Sequence, residues 1–197
     1  MTENIQSDHE LVRASIGQPE VFGQIVERHF TPVHRYLHRR IGRDIADDLA
    51  SEVFAIAFEQ RRACTGSSAL PWLYGIATNR LRRHRRTEER RLRAYGRSGR
   101  DEFVDLDVDA IHDRLDASAE GQRLAGALAS LRPRHRDVLL LATFADLTYE
   151  EIALALDVPI GTVRTWLHRA REGMRVRLAQ YPQSSNPPPI QGVTSDG

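Results

Sequence analysis

The stretch LTYEEIALALDVPIGTVRTWLHRAREGMRVRL, residues 147–178, decides the fold of the C-terminal part of this 197-residue chain. It predicts two helices joined by a tight turn. Thr148 and Glu151 have the spacing of a capping box and precede an apolar run, so the first helix begins at Thr148. Asp157 tolerates the left-handed conformation and Pro159 cannot continue a helix, so the turn lies at these residues.

The second helix, which begins near Ile160, has two distinct faces. At about 100° per residue, one stripe of side chains is apolar and another is basic. The apolar stripe is expected to pack against the rest of the domain, and the basic stripe to meet an anion. The apolar stripe consists of Val163, Leu167, Ala170, Met174 and Leu178, and the basic stripe of Arg164, His168, Arg171 and Arg175.

A helix pair of this kind is typical of DNA-binding helix-turn-helix units, in which the N-terminal half of the second helix enters a major groove. Gly161 and Thr162 are then expected near a phosphate, because a helix N-terminus attracts anions. Arg164, Thr165 and His168 are expected to face base edges. This segment alone leaves open an ordinary helical hairpin with a solvated basic face.

Composition favours a helical protein with one mid-sized domain or two small ones, since 41% of the residues are hydrophobic and Gly and Pro are few before residue 180. No apolar run is long enough to span a membrane, and residues 1–13 lack the pattern of a secretion signal, so a cytoplasmic location is expected. The single cysteine, Cys64, excludes an intrachain disulfide and a multi-cysteine zinc site. Neither a cofactor nor a metal is expected.

The charge pattern divides the chain. All 28 basic residues are Arg, and a dense cluster between Arg80 and Arg100 is followed at once by an acidic stretch. We therefore expect an all-α fold of two small helical domains joined by a flexible acidic linker. The expected parts are a flexible N-terminus (1–18), a four-helix domain (19–92), the linker (93–117), a helix-turn-helix domain (118–181) and a disordered tail (182–197).

The first domain is expected to contain helices at 21–29, 32–40 and 44–62 and a fourth that begins near Pro71. The third of these is apolar on two sides, which indicates either burial between elements or a partner. Its acidic flank favours a docking surface for a basic partner protein over a purely structural role for its rings. The core stripe is Ile45, Leu49, Val53 and Ile56, and the other surface holds Asp47, Asp48, Glu52, Phe54 and Phe58.

The fourth helix presents an outward face that suits unpaired nucleic acid. A ring can stack on an unstacked base, an amide can read its edge, and arginines can hold the backbone. The loop before it, residues 63–69, is small and polar enough to close around a flipped base. Trp72 by itself is also consistent with a core position. The outward face holds Trp72, Gly75, Asn79, Arg83 and Arg86, and the inward stripe holds Leu73, Ile76, Ala77 and Leu81.

Together, these segments resemble the bacterial RNA polymerase sigma factors of the extracytoplasmic-function type, the smallest members of the sigma-70 family. DIADDLASEVFAIAFEQ (44–60) is similar to the polymerase-docking helix of that family. ALPWLYGIATNRLRRHRR (69–86) is similar to its promoter-melting and minus-ten helix, and residues 147–171 are similar to its minus-thirty-five helix-turn-helix. The blocks VPIGTVR and LHRAR carry the most specific part of the resemblance.

The resemblance implies a sigma factor that binds core RNA polymerase, through the clamp of its largest subunit, and directs promoter-specific initiation without being an enzyme. Promoter DNA is the second implied partner, and an anti-sigma factor is a possible third. By matching position, Asp48, Glu52 and Phe54 contribute to docking, and Asn79 and Arg80 to the minus-ten element. Arg164, Thr165, His168 and Arg169 contribute to the minus-thirty-five element.

Two other classes of protein remain open from the sequence. A stand-alone helix-turn-helix regulator would bind duplex DNA tightly through residues 118–181 alone and would need no polymerase. An enzyme would have its best lead in His34 and His38, which are four residues apart on a predicted helix and able to share a metal. No nucleophile motif or phosphate loop accompanies that pair.

Overall fold

The computed structural model describes residues 6–94 and 119–180, and within these ranges the chain is all-α, as predicted. The predicted linker, apart from residues 93 and 94, and the predicted tail lie outside the described residues. The described helices are α1 (Asp8–Ala14), α2 (Phe22–Ile41), α3 (Arg43–Glu59), α4 (Leu70–Ala94), α5 (Ala119–Ala129), α6 (Pro133–Phe144), α7 (Tyr149–Leu156) and α8 (Ile160–Gln180), with single 3-10 turns at Pro19–Val21 and Arg61–Ala63. We call α1–α4 the N-terminal domain and α5–α8 the C-terminal domain.

Within the segment 1–18, which was predicted to be flexible, the structure has a helix, α1, at Asp8–Ala14. The Ser7 side chain and the backbone N–H of Glu10 form a capping box that starts α1. Leu11 and Val12 are buried in the core of the domain. Burial of these two side chains gives the short helix the tertiary support that a helix of this length needs.

A single long helix replaces two of the predicted ones. α2 runs through Pro32, which is half-buried inside it. A proline in a helix interior removes one backbone hydrogen bond and usually ends the helix. Here the buried stripe continues on both sides of it, from Ile25 to Val33 and Leu37, so packing outweighs that cost. Four helices were predicted from residue 19 to residue 92, and the structure has three that begin there, α2, α3 and α4; the fourth helix of the N-terminal domain is α1, which precedes them.

The core stripe of α3 is rotated from the predicted one. Leu49 and Val53 are buried as expected, but Ile45 is 38% exposed and Phe54 is only 6% exposed. The difference arises because small residues, and not only large ones, decide which side of this helix is buried. The buried stripe is Ala46, Leu49, Ala50, Val53, Phe54 and Ala57.

The helix-turn-helix of the C-terminal domain confirms the local predictions. Thr148 Oγ1 accepts a hydrogen bond from the Glu151 backbone N–H at 3.2 Å, and the Glu151 carboxylate accepts one from the Thr148 backbone N–H at 2.8 Å. Asp157 is left-handed, with φ of 51°, and α8 begins at Ile160. The predicted apolar stripe is buried at Val163, Leu167 and Ala170 and half-buried at Met174 and Leu178.

The two domains are in direct contact through α4 and α7. Gly75, which was predicted on an outward face, is buried against the backbone of Ala155. A Cβ atom at position 75 would lie 2.5 Å from the Ala155 carbonyl oxygen, so only glycine permits this approach.

An ion cluster lies in the same contact. Asp137 of α6 accepts hydrogen bonds from Arg40 Nη2 at 2.6 Å and from Arg82 Nε at 2.8 Å. Arg40 also donates to the Tyr36 hydroxyl at 2.7 Å. The side chains of Asp137 and Arg40 are 0% and 1% exposed, so this cluster is enclosed by the two domains together.

Candidate nucleic-acid interface

The basic stripe of α8 lies on the surface. Arg164, Thr165 and His168 are exposed, and Arg164 and His168 line a groove whose far edge is Tyr149 of α7. Residues on the opposite side of α8 are buried, so the helix is fixed in rotation and its basic stripe faces outward. The predicted residues that are exposed on α8 are Gly161, Arg164, Thr165, His168, Arg169, Arg171 and Arg175, and Thr162 is half-buried.

Not all of these residues are equally placed to reach DNA. Arg175 forms a two-bond ion pair with Glu172, with Nη2–Oε1 at 2.7 Å and Nε–Oε2 at 3.0 Å. Arg169 lies on another side of α8. Partial burial, together with the positive charges of Arg132 and Arg169, lowers the pKa of His135 at the start of α6. Arg169 is therefore close to α6, and it is separated from the basic stripe.

The inward stripe of α4 is confirmed, since Leu73, Ala77 and Leu81 are buried. Of the outward residues, Asn79, Arg83 and Arg86 are exposed. Trp72 is half-buried and packs against the core, so its ring is only partly accessible. The predicted face is therefore interrupted on one side by Trp72 and on another by Gly75, which contacts α7.

The loop before α4 is fixed to α1. Asp8 Oδ2 accepts a hydrogen bond from the Ala69 backbone N–H at 2.9 Å and lies 2.7 Å from His29 Nε2. Burial raises the pKa of Asp8, but the hydrogen bond from Ala69 and the contact with His29 outweigh it and hold the pKa below its usual range. Cys64 is buried, and burial raises the pKa of its thiol. A role for Asp8 in this loop was not predicted.

The acidic surface of α3 is exposed, as predicted, at Asp47, Asp48 and Glu52. Asp47 Oδ1 lies 2.6 Å from His34 Nε2 on α2, so α2 helps to orient one of these carboxylates. Arg80 of α4 donates to Glu52, which places that arginine at the border between α4 and the acidic surface.

Phe54 of α3 is buried, and Phe58 is half-buried and packs against the core, so neither ring lies freely on the predicted docking surface. Phe54 stacks on Phe30 with ring centroids 5.9 Å apart. Phe58 makes an edge contact with Phe22 at 5.4 Å, and the Arg61 guanidinium lies over it at 4.2 Å. The ring that reaches the surface beside the carboxylates is Phe30, which is 39% exposed.

His34 and His38, the pair that left an enzyme open as an alternative, contact each other and other side chains. The rings of His34 and His38 stack at 5.8 Å, and His34 contacts Asp47. In residues 6–94 and 119–180, no group of three or more His, Cys, Asp or Glu side chains is placed to hold a metal ion.

Comparison with known families assigns both domains. Residues 25–91 match the family model for sigma-70 region 2, and residues 121–174 match the model for sigma-70 region 4. The chain belongs to the sigma-70 family. It is a promoter-directing RNA polymerase sigma factor of the extracytoplasmic-function type, as the sequence resemblance implied. Within the described part of this sigma factor, none of the helices combines the length and apolarity required to cross a membrane.

Curated relatives support the same family, and a solved structure has the same fold. The sigma factor is 33% identical over 170 residues to the ECF RNA polymerase sigma factor SigE of Mycolicibacterium smegmatis, covering 80% of this chain but only 62% of SigE. It is 28% identical over 179 residues to the ECF RNA polymerase sigma-E factor of Haemophilus influenzae, covering 87% of this chain and 95% of that protein. The sigma factor RpoE of Bartonella quintana, solved in complex with the anti-sigma factor NepR, has the same fold, with a TM-score of 0.59, 20% identity, and coverage of 80% of this chain and 96% of RpoE.

Proposed function

We propose that this sigma factor recognises promoters by a division of labour between its two domains. The C-terminal domain reads the minus-thirty-five element as a duplex. The N-terminal domain captures one strand of the minus-ten element and attaches the protein to core RNA polymerase. The observation that carries the proposal is the fixed rotation of α8, which buries Val163 and Leu167 and exposes Arg164 and His168.

Reading of the minus-thirty-five element is assigned to the N-terminal half of α8. Arg164, Thr165 and His168 are exposed there and have the donors and acceptors that base edges require in a major groove. Gly161 and Thr162 lie at the helix N-terminus, which suits a phosphate. The remaining arginines, Arg169, Arg171 and Arg175, position the helix on the backbone and do not select a sequence.

Capture of the minus-ten strand is assigned to the exposed part of α4. Asn79 has an amide that can pair with the edge of an unstacked base, and Arg83 and Arg86 can hold phosphates. Trp72 offers only the exposed part of its ring. Arg80 takes part if it exchanges its contact with Glu52 for one with DNA.

Attachment to core polymerase is assigned to the acidic surface of α3. Asp47, Asp48 and Glu52 form a negative surface that complements a basic one, here the clamp of the largest polymerase subunit. Docking on one scaffold raises the effective concentration of each DNA-binding domain for its own element, so neither domain needs to bind tightly alone. The protein would act in the cytoplasm, as a regulatory factor without a cofactor.

An anti-sigma factor is a further proposed partner. RpoE of Bartonella quintana was solved in complex with such a protein. A partner that covers the acidic surface of α3 would prevent docking on polymerase, and one that covers the basic stripe of α8 would prevent binding of the minus-thirty-five element.

Run-off transcription tests the proposed function. Core RNA polymerase, candidate promoter fragments and the purified full-length chain should give discrete transcripts that are absent when the chain is omitted. A co-purification assay with core enzyme, run in parallel, reports docking separately from DNA recognition. Blank run-off reactions together with no binding to core enzyme would overturn the proposal.

A further inference from the structure

We propose that the start of α6 and the adjoining side of α8 form a second phosphate-binding site on the C-terminal domain. Arg134 and Arg169 bind the DNA backbone there, and Trp166 is a positioning residue that holds the Arg134 guanidinium. The proposal rests on the proposed function in one respect, namely that α8 lies in a major groove. It adds a contact with the second strand of the duplex.

The two sides of α8 face different neighbours. At about 100° per residue, Arg171 lies about 70° to one side of the centre of the proposed base-reading residues, and Arg169 lies about 90° to the other side. Arg171 lines the groove beside Tyr149 of α7, whereas Arg169 is close to α6. A major groove is about 12 Å wide and a helix with its side chains is about 10 to 12 Å across, so each side of the helix faces one backbone. Helix α7 therefore flanks one strand, and α6 flanks the other.

The side of α8 that faces α6 is rich in positive charge. Arg132, Arg134 and Arg169 are all exposed. Partial burial lowers the pKa of His135, and the charges of Arg132 and Arg169 lower it further, which shows that these groups lie close together. The first turn of α6 has no acidic residue, and no carboxylate in the described ranges pairs with the three arginines. Positive charges held together without carboxylates indicate an anionic ligand.

Trp166 gives one of these arginines a defined position. Its ring is half-buried and packs against the core. The Arg134 guanidinium lies over this ring, with Cζ 5.7 Å from the ring centroid, a distance at which the ring attracts the positive charge. A guanidinium stacked on a ring keeps the N–H donors at its edge available for phosphate oxygens. Because the side chain is already held in place, it loses less conformational freedom when it binds.

The same contact indicates which ligand binds here. A ring that stacks on an unpaired base needs an open face. Trp166 packs against the core on one side and is covered by Arg134 on another, so it does not offer such a face. The site therefore supplies guanidinium donors without a stacking surface, which suits the phosphates of a duplex.

The salt dependence of DNA binding tests the site. Fluorescence anisotropy measures the affinity of the full-length wild type, Arg134→Ala and Arg13→Ala for a labelled duplex of random sequence. Between about 50 and about 200 mM salt, the affinity of Arg134→Ala should fall about threefold less than that of wild type, because one phosphate contact is missing. Arg13→Ala, which removes an exposed arginine from α1 of the other domain, is the matched control and should keep the wild-type salt dependence.

A wild-type salt dependence in Arg134→Ala would overturn the site. If that variant then bound core polymerase more weakly, the ligand of the arginines would be an acidic protein surface instead of DNA. A reduced salt dependence together with blank run-off reactions would count against the proposed function and leave the phosphate site established.

A second set of variants tests the positioning role of Trp166. At fixed low salt, Trp166→Leu, which removes the ring but keeps an apolar side chain, should weaken binding about two- to fivefold. Trp166→Phe, which keeps a ring, should recover part of this loss. The double variant of Arg134→Ala and Trp166→Leu should bind like Arg134→Ala alone, because the ring acts only through the arginine.

Equal losses from Trp166→Leu with and without Arg134 would show that the ring has only a structural role, and would overturn its assignment as a positioning residue. Circular dichroism checks that each variant is folded. Arg134 is exposed, so Arg134→Ala keeps the phosphate site testable even if Trp166→Leu does not fold.

Discussion

Arg80 of α4 donates a hydrogen bond to the carboxylate of Glu52 on α3, which joins a proposed minus-ten residue to the proposed polymerase-docking surface. The two side chains are 24% and 46% exposed, so water screens the pair. Pairs of this kind contribute at most about 1 kcal/mol and exchange readily with other partners. A substitution of Glu52 therefore disturbs both surfaces, and Asp48 is the cleaner probe of docking.

Asp48→Arg is expected to weaken binding of core RNA polymerase by at least about tenfold, because like charges placed together across an interface cost several kcal/mol. Biolayer interferometry with immobilised core enzyme measures the effect. Glu27→Arg, which reverses another exposed carboxylate of the N-terminal domain, is the control and should bind like wild type. Equal affinities for both variants would contradict the assignment of the α3 surface.

Substitutions on α8 should distinguish residues that recognise the base sequence from residues that contact the DNA phosphates. Arg164→Ala is expected to cost about 1 to 3 kcal/mol and to relax selectivity at one base pair of the minus-thirty-five element. Arg175→Ala should weaken binding to all sequences alike and reduce the slope of log K against log salt by roughly one. Transcription from a promoter library, together with salt titrations, distinguishes the two. Equal losses of selectivity would show that the assigned roles are wrong.

The turn between α7 and α8 predicts a stabilising substitution. Asp157 has φ of 51°, a conformation that costs a non-glycine residue roughly 1 kcal/mol. Asp157→Gly should therefore raise the free energy of unfolding by up to about 1 kcal/mol, whereas Asp157→Ala should lower it. Thermal denaturation followed by circular dichroism measures both. A glycine variant that is no more stable than the alanine variant would show that backbone strain at this turn is negligible.

Asp137 predicts a specific dependence of stability on pH. Burial raises its pKa, but Arg40 and Arg82 outweigh burial and hold the pKa below the ordinary value of 3.8. A depressed pKa stabilises the folded structure when the pH is above that ordinary value, and the contribution is lost as the pH falls through the lowered pKa. The difference in melting temperature between wild type and Asp137→Asn should therefore be constant from about pH 8 to pH 5 and shrink in more acidic solution. A difference that grows on acidification would reverse the sign and refute the ion cluster.

Local features of the fold could be predicted from the sequence. The capping box at Thr148 and Glu151, the left-handed Asp157 and the buried stripe of α8 each depend on residues a few positions apart. Such patterns are determined by backbone geometry, and the structure confirms them. The rotation of the buried stripe of α3 could not be predicted from the sequence. Alanines at positions 46, 50 and 57 are only weakly hydrophobic, although they are buried and allow neighbouring helices to approach closely.

The sequence indicates only weakly that Asp137 belongs to a buried ion cluster. Asp137 stands at the start of the apolar run of α6, where an ionised side chain needs a partner to be buried. Its partners, however, come from α2 and α4. The spacing of charges along the chain does not indicate which of the 28 arginines pair with Asp137.

The sequence by itself therefore determined the all-α class, the helix-turn-helix with its buried stripe on α8, and the family to which the chain belongs. Only the tertiary structure decided which outward surfaces stay accessible: Gly75 is covered, Phe54 is in the core, and Asp137 meets Arg40 across 97 residues of chain. The physical reason is that helical periodicity specifies the side of a helix on which a residue lies. Which element then covers that side depends on contacts between distant segments, and periodicity does not encode them.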